Sequence, residues 1–300
     1  MNCPAEKNTF IDKPFTFPAP AKINLFLHIV GQRKDGYHNL ETLFQFLDHS
    51  DTITLTTTQT KTIDLLTPIS GVENEDNLIV KAARLLQEKA QSPFGVKISI
   101  NKILPMGGGL GGGSSNAATI LVALNVLWQC NLSTQVLADL GLSLGADVPI
   151  FVHGFAAFAQ GVGEQLSKVE PVETWYLITK PKCSISTQQV FTAKDLPRNS
   201  ARLTDKSLET NDFINDCFHN DCQTLVIKHY PEVAKLLAWL IEYAPSRMTG
   251  TGACVFTRFS SQKEAFALQE KLPQGVSSFV ARGLNKSPLS SVIAKLALNN

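Results

Sequence analysis

The residues best suited to chemistry form a glycine-rich stretch from Pro105 to Ser115. Six of the seven residues at 107–113 are glycine, out of 19 in the whole chain. Without side chains, the backbone N–H groups of such a stretch can close around an anion. A helix that begins directly after it adds free N–H groups and the positive end of its dipole. The stretch therefore predicts a phosphate-binding loop, to which Ser114 and Ser115 can add hydroxyls.

Three other interpretations of this stretch are a flexible hinge, a Walker A loop and a dinucleotide-binding loop, and each fits the sequence less well. A flexible hinge has no reason to lie between a strand and an apolar helix. The sequence contains no G-x-x-x-x-G-K-[ST] motif, which excludes a Walker A loop. Gly107, Gly109 and Gly112 satisfy G-x-G-x-x-G, but almost any spacing matches within six glycines. A dinucleotide fold also needs a strand soon after the helix, whereas the sequence predicts a second helix from Ser133 to Leu144.

A second polar group lies in the predicted strand at 22–30. Apolar residues alternate with polar ones there, which places Lys22, Asn24 and His28 on one face. Taken alone, Lys22 is a solvated strand lysine, since lysine is seldom buried. Three polar side chains pointing the same way instead predict one shared, hydrated face.

Three motifs resemble the GHMP kinases, the ATP-dependent small-molecule kinases named for galactose, homoserine, mevalonate and phosphomevalonate. The stretch 105–115 is similar to their P-x-x-x-G-L-G-S-S phosphate loop. Pro20 to Leu25 resembles their N-terminal motif, and Gly250 to Cys254 their C-terminal glycine motif. The order and spacing also agree. The resemblance implies ATP as a cosubstrate and Mg²⁺ bridging its phosphates, with the metal ligands unknown.

Further segments narrow the resemblance to kinases of the non-mevalonate isoprenoid pathway, which phosphorylate a hydroxyl of a cytidine-diphosphate-linked methylerythritol. These segments are Asp35–His38, Leu43–Asp48, Glu75–Leu78, Leu144–Pro149 and Ala244–Phe256. The D-G-Y-H-x-L motif with a six-glycine loop is not shared by the mevalonate or homoserine enzymes. The resemblance thus implies transfer of a phosphoryl group from ATP to that hydroxyl, giving the 2-phosphate product.

The resemblance assigns catalysis to two residues. Asp147 matches the catalytic aspartate, acting as the base, and Lys22 matches its electrostatic partner. An alcohol that attacks a phosphoryl group needs a positioned proton acceptor and charge stabilisation. Without the resemblance, Asp147 is better interpreted as the N-cap of a helix starting at Val148.

Binding residues also follow from the resemblance. Tyr37 is expected to stack on the cytosine and His38 to hydrogen-bond its edge, although the residues alone favour a loop tyrosine packed on the core. The expected substrate contacts are Asn24, Tyr37, His38, Phe44, Thr187 and Phe191. The expected nucleotide contacts are Asn77, Lys102, Pro105, Met106, Gly107, Gly108, Gly109, Leu110, Gly111, Gly112, Gly113, Ser114 and Ser115. Ser186 and Gln188 replace prolines common in the family, which predicts a less rigid loop around Thr187.

An α+β fold must position these residues. The resemblance implies the two-domain GHMP kinase fold, with a ribosomal-protein-S5-domain-2-like N-terminal domain (1–165) and a ferredoxin-like C-terminal domain (166–300). The periodicity predicts strands at 22–30, 44–47, 51–56, 62–66, 96–100, 154–160, 175–179, 254–259 and 277–281. It predicts helices starting at Leu78 and spanning 115–128, 133–144, 231–243 and 262–271. Residues 1–17 are predicted to form a loose polar tail, and 194–211 a polar loop.

The composition restricts partners and location. There are 27 Lys and Arg against 26 Asp and Glu, so the net charge is +1, and 44% of the residues are hydrophobic. These values exclude a disordered chain and provide no field to attract nucleic acid or an acidic membrane. The longest apolar run, 117–128, is too short to span a bilayer. We therefore expect a cytoplasmic monomer or weak homodimer whose partner is a small molecule carrying cytidine diphosphate.

The six cysteines are scattered and include no C-x-x-C pair, as in reduced cytosolic proteins. Cys217, His219, Cys222 and His229 lie close together, but their spacing fits no standard zinc pattern. A helix with two buried thiols is the preferred interpretation.

Two other functions are compatible with the sequence. One is a GHMP kinase that acts on an unrelated small alcohol. The other is a non-catalytic nucleotide- or RNA-binding protein on the same scaffold, which would need basic clusters with interleaved aromatic residues.

Overall fold

Two long antiparallel strands form the base of the fold. In the computed structural model, which describes residues 8–69, 71–203, 213 and 218–298, β1 (Pro14–Gln32) pairs along its length with β2 (His38–Thr58). The separate strands predicted at 44–47 and 51–56 are parts of this single strand β2. The pairing brings Lys22 and Asn24 next to Phe46 and Phe44.

The remaining elements of the first half pack on this ribbon. The strands are β3 (Ile63–Leu65), β4 (Gly95–Asn101), β5 (Ala157–Gln160) and β6 (Gln165–Lys168). A 3₁₀ turn (Asn74–Asp76) precedes α1 (Leu78–Ala90), and the other helices are α2 (Gly112–Leu127), α3 (Thr134–Leu144) and α4 (Val148–His153). Helix α2 is apolar on nearly all sides, so it lies inside the core.

The second half alternates strands and helices around its own core. Its strands are β7 (Trp175–Lys180), β8 (Ser246–Met248), β9 (Val255–Phe259) and β10 (Ser277–Leu284). Its helices are α5 (Thr187–Thr192), α6 (Asp221–His229), α7 (Pro231–Ile241), α8 (Gln262–Gln269) and α9 (Pro288–Leu298). None of the helices in the described ranges has the length and hydropathy that crossing a bilayer requires.

One ten-stranded sheet connects the two halves. Its main path runs β3-β4-β2-β10-β7-β9-β8, with β1 and β5 paired to β2. The connection is short, because β10 meets β2 only through Gly283 with Leu47 and Leu284 with Phe46. Helix α9 then returns to the first core, where Leu289 is buried. The division at 165/166 stays a prediction, and the end of the chain contributes to both halves.

The predicted loose tail is wrong for residues 14–17. Strand β1 begins at Pro14, and Phe17 and Phe10 are buried in the first core. The prolines at 14, 18 and 20 are tolerated in this strand because this part of β1 pairs with β2 and is at an edge, where a strand can lack some N–H donors.

Other differences are smaller. Helices α5 and α9 and strands β6 and β8 were not predicted, and the strand predicted at 154–160 begins at Ala157 because α4 extends to His153. The polar loop predicted at 194–211 is described only as far as residue 203. Cys222 is buried in α6 as predicted, whereas Cys217 lies outside the described residues.

Candidate active site

A cavity of about 520 Å³ lies where the glycine-rich stretch meets β1, β2, α1 and α5. It brings most of the predicted site residues together, from both halves of the chain. Those on its wall are Lys22, Asn24, Phe44, Asn77, Lys102, Pro105, Met106, Gly107, Gly108, Gly109, Leu110, Gly111, Gly112, Gly113, Ser114, Asp147, Thr187 and Phe191. Ser115 is buried beneath the wall, and Tyr37 and His38 lie outside it.

The start of α2 is suited to hold an anion. Gly111 takes the N-cap position in a left-handed conformation, and no side chain caps the helix. Gly112, Gly113 and Ser114 follow on the cavity wall. Their N–H groups and the helix dipole therefore face the cavity, as phosphate binding requires.

Some of the glycines also serve the packing of two loops. Gly109 has φ +75°, and a Cβ atom there would lie 2.2 Å from the carbonyl oxygen of Thr249. At Gly108 a Cβ atom would lie 2.6 Å from Sγ of Cys254. The N–H of Ala253 donates to the carbonyl of Gly107 at 3.3 Å. The two glycine motifs are thus in backbone contact, which explains part of the glycine content without any ligand.

Lys22 and Asp147 form an ion pair on the cavity wall. Nζ of Lys22 lies 3.2 Å from Oδ2 of Asp147, and it donates to Oδ1 of Asn24 at 2.6 Å and to the carbonyl of Gly109 at 3.2 Å. The lysine is only 2% exposed. Three acceptors around a buried ammonium satisfy its three donors. This network connects the ion pair to the glycine-rich stretch.

The position of Asp147 reconciles both interpretations of this residue. It occupies the N-cap position of α4, as the sequence alone favoured, but its side chain makes no capping hydrogen bond. The carboxylate instead faces Lys22 and is about one third exposed. It is therefore available to a ligand in the cavity.

Asn24 joins β1 to the C-terminal glycine motif. Its Nδ2 donates to Oγ1 of Thr42 at 2.8 Å, and its backbone N–H donates to Oγ1 of Thr249 at 2.9 Å. Nearby, Oγ1 of Thr187 lies 3.0 Å from Oγ1 of Thr251. Polar contacts thus connect the two halves across the cavity.

Asp51 supports the side of the cavity formed by the glycine-rich stretch, and sequence reasoning did not identify it. Its fully buried carboxylate accepts hydrogen bonds from the N–H groups of Ile103 and Leu104 at 2.8 Å, from Nζ of Lys102 at 2.5 Å and from Nδ2 of Asn116 at 2.9 Å. It fixes the segment that leads into the glycine-rich stretch. A single aspartate within a predicted strand gives no local signal of this role.

Asn77 serves as the N-cap of α1, since its Oδ1 accepts from the N–H of Ile79 at 3.0 Å. Its buried Nδ2 has no hydrogen-bond partner among the described residues. Asn77 lines the cavity, so this unpaired donor lies next to the space that a ligand would occupy.

An aromatic group, named here the aromatic end, adjoins the cavity at Phe191, which lies on its wall. The rings of His38 and Phe191 stack with centroids 5.4 Å apart, and Nε of Arg198 donates to Nε2 of His38 at 2.9 Å. Burial, and then Arg198, lower the pKa of His38. Tyr37 is 63% exposed beside this group. Arg198 is a second residue that sequence reasoning missed.

The predicted shared face of Lys22, Asn24 and His28 is wrong for His28. The register of β1 against β2 shifts between Asn24 and Leu27, and this bulge reverses the alternation. Leu27 therefore reaches the cavity wall, while His28 is buried against the ring of His219. Burial, followed by the neighbouring His219, lowers the pKa of His28 to about 4.

Comparison with known proteins agrees with the motifs. Residues 77–155 match the family of GHMP kinases N terminal domain, and residues 193–277 match GHMP kinases C terminal. A 4-diphosphocytidyl-2-C-methyl-D-erythritol kinase of Colwellia psychrerythraea is 73% identical over 299 residues, covering 100% of both chains. A protein of the same name from Aliivibrio fischeri is 55% identical, covering 94% of this chain and 96% of that one.

Solved structures give the same fold. The crystal structure of a 4-(cytidine 5'-diphospho)-2C-methyl-D-erythritol kinase has a TM-score of 0.79 at 28% identity, over 90% of this chain and 99% of that one. A mevalonate kinase has a TM-score of 0.65 at 16% identity, over 91% of this chain and 100% of that one, which shows a shared fold. The two-domain α+β kinase fold expected from the sequence is confirmed.

Proposed function

Because the chain belongs to the GHMP kinases, and within them to the 4-diphosphocytidyl-2-C-methyl-D-erythritol kinase family, we propose that it phosphorylates 4-diphosphocytidyl-2-C-methyl-D-erythritol to the 2-phosphate. It is an ATP-dependent small-molecule kinase. The observation that carries the proposal is the Lys22–Asp147 pair, placed on the same cavity wall as the uncapped start of α2.

The phosphates of ATP lie on the glycine-rich stretch in this proposal. The N–H groups of residues 112–114 and the dipole of α2 hold them, and Lys102, whose ammonium is paired with Asp51, lies on the same wall. Asn77 contacts the nucleoside with its free Nδ2. Phosphoryl transfer depends mainly on positioning and on stabilising charge, and a fixed backbone cradle provides both.

Asp147 acts as the general base. As the substrate hydroxyl oxygen forms a bond to the γ-phosphorus, the bond from that phosphorus to the β-bridging oxygen breaks and ADP leaves. The hydroxyl proton passes to the carboxylate of Asp147. Lys22 keeps this carboxylate in place and stabilises negative charge that develops near it.

Magnesium fits the oxygen ligands of the wall. Mg²⁺ is usually held by one or two protein oxygens together with the phosphates, so it needs no dedicated cage. In the described part of the chain, no group of three His, Cys, Asp or Glu residues is placed to hold a metal ion. The hydroxyl of Ser114 is on the wall and would hold the ion together with the phosphates. When bound, it neutralises phosphate charge.

The cytidine handle lies at the aromatic end. Phe191 is on the cavity wall, the ring of His38 stacks against it, and the exposed ring of Tyr37 is free to cover a flat base. Asn24, Thr187 and the apolar side chain of Phe44 are on the same cavity wall, and the sugar alcohol would be held against them.

The test is an ATP-consumption assay with the purified chain. We expect turnover with the cytidine-linked methylerythritol and none with mevalonate. Methylerythritol 4-phosphate, which lacks the cytidine, serves as a matched control and should react poorly because it leaves the aromatic end empty. Turnover that is equal with and without the cytidine group would contradict the proposed substrate and favour another GHMP kinase activity.

A further inference from the structure

Arg198 is attached to the turn that follows α5 and reaches the ring of His38. Its Nη2 donates to the carbonyl of Ala193 at 2.6 Å, and its Nη1 donates to that of Leu196 at 2.9 Å. Its Nε donates to Nε2 of His38 at 2.9 Å. The guanidinium is therefore held in place by the backbone before it contacts the histidine.

This contact decides which nitrogen of His38 carries the proton. A guanidinium has five donors and no acceptor, and it does not lose its proton in proteins. Nε2 must therefore accept, so the ring is neutral and its proton is on Nδ1. Among the described residues Nδ1 has no hydrogen-bond partner, and Arg198 is bonded to Nε2. The ring thus offers a ligand one polar group, and that group is a donor.

We propose that Arg198 is a positioning residue that fixes the Nδ1–H form of His38 and thereby makes the site select cytosine over uracil. This inference rests on the proposed function, which places a cytidine group at the aromatic end. At the pairing edge, N3 of cytosine is an acceptor and can receive the Nδ1–H bond. Uracil has N3–H at the same place, so two donors would face each other without a bond.

The alternative role for Arg198 is structural, since it also bonds the backbone that carries Phe191. If the role is structural, loss of Arg198 should lower kcat/KM equally for the cytidine- and uridine-linked substrates. If Arg198 acts as proposed, its loss should change the ratio of the two kcat/KM values. The experiment must therefore report on the histidine itself and on the ratio of two substrates.

The first measurement is NMR of the histidine-labelled protein without ligand, with His38→Gln used to assign the signal. We expect the wild type to show neutral Nδ1–H from pH 6 to 8. Arg198 is the charged group that faces the ring, while Phe191 on α5 is uncharged. In Arg198→Met the ring should show both neutral forms and take up a proton in this range. A wild-type Nε2–H form, or an unchanged signal in the variant, would overturn the inference.

The second measurement compares cytidine- and uridine-linked substrates. We expect the wild type to prefer cytidine in kcat/KM by about tenfold to a hundredfold, the range for one discriminating base contact. Arg198→Met should raise KM for the cytidine substrate about tenfold, leave kcat within about twofold and reduce the preference. Arg198→Lys, which retains a donor, should restore part of it. An unchanged preference, or a loss confined to kcat, would contradict the proposal.

Two controls complete the test. In a His38→Ala background, Arg198→Met should add no further loss of preference, because Arg198 acts through the histidine. Arg202→Met removes a mostly exposed arginine four residues further along and should change neither measurement. If the wild type phosphorylates neither substrate, the proposed function and the selectivity fail together, while the NMR measurement still decides whether Arg198 fixes His38.

Discussion

The ammonium of Lys22 and the carboxylate of Asp147 lie 3.2 Å apart but differ sharply in exposure, at 3% for the lysine side chain and 36% for the aspartate. The cation is enclosed by protein, whereas the carboxylate is open to the cavity. In the proposed reaction, Asp147 is therefore the residue that contacts the substrate hydroxyl. Lys22 supports it from inside the protein and also donates to the carbonyl of Gly109.

Replacing the carboxylate should stop turnover and leave nucleotide binding intact. We expect Asp147→Asn to lower kcat by about 10²–10⁴-fold, because an amide cannot take the hydroxyl proton. The affinity for ATP, measured by calorimetry, should stay within a few fold, since in the proposed site the phosphates rest on the N–H groups of residues 112–114. Turnover close to that of the wild type would remove Asp147 as the base.

Two glycines of the same stretch should respond differently to alanine. Gly109→Ala places a Cβ atom 2.2 Å from the carbonyl of Thr249 at φ +75°, whereas Gly113→Ala gives an ordinary contact of 3.6 Å with Leu78. We expect Gly109→Ala to cost about 2 kcal/mol or more in the free energy of unfolding and to raise KM for ATP. Gly113→Ala should be neutral or slightly stabilising. Similar melting temperatures for both variants would contradict the described loop packing.

Tyr37→Ala should affect substrate binding alone. The ring is 63% exposed, so its loss costs the fold little. We expect a higher KM for the cytidine-linked substrate, by roughly fivefold to a hundredfold for one lost base-stacking contact. The KM for ATP and the melting temperature should not change. An unaltered KM for the cytidine substrate would mean that Tyr37 does not stack on the base.

His28 should make stability depend on pH. Its pKa is about 4 in the folded protein against an ordinary 6.5, because it is buried beside His219. Between these pH values the unfolded chain binds more protons, so the free energy of unfolding falls as the pH drops from about 6.5 towards 4. Above 6.5 this stability is fully present. The loss attributable to this group is on the order of 2–3 kcal/mol.

Urea unfolding at pH 7 and pH 5 measures this effect. His28→Gln should show a smaller difference between the two pH values than the wild type. His229→Gln, which changes a half-exposed histidine, is the matched control and should keep the wild-type difference. If His28→Gln also kept it, the acid sensitivity would arise elsewhere.

Sequence reasoning predicted those parts of the site that depend on local patterns. The glycine-rich stretch, Lys22 and Asp147 were identifiable because their motifs have a fixed order along the chain. Asp51 and Arg198 were not, because each acts through partners that only the folded chain brings near, such as Asn116 for Asp51. The misplacement of His28 has a similar cause. A bulge is set by pairing between strands, and a period of two within one strand cannot reveal it.

The order of helices and strands could mostly be predicted from the sequence. The core against which the C-terminal segment packs could not. The apolar periodicity of α9 does not show which core it covers, and it covers the first one. Strand β10 likewise pairs with β7 along its length and then with β2 at its end.

That return of the chain end has a consequence for unfolding. The last segment, from β10 to α9, belongs to both cores. Unfolding of either half would therefore expose apolar residues that are buried in the other half. We therefore expect one cooperative calorimetric transition, with the calorimetric enthalpy equal to the van't Hoff enthalpy, where two domains on a loose linker would give two transitions. Truncation before Pro288 should lower this single melting temperature, because the deleted helix α9 covers the core of the half that holds the glycine-rich stretch.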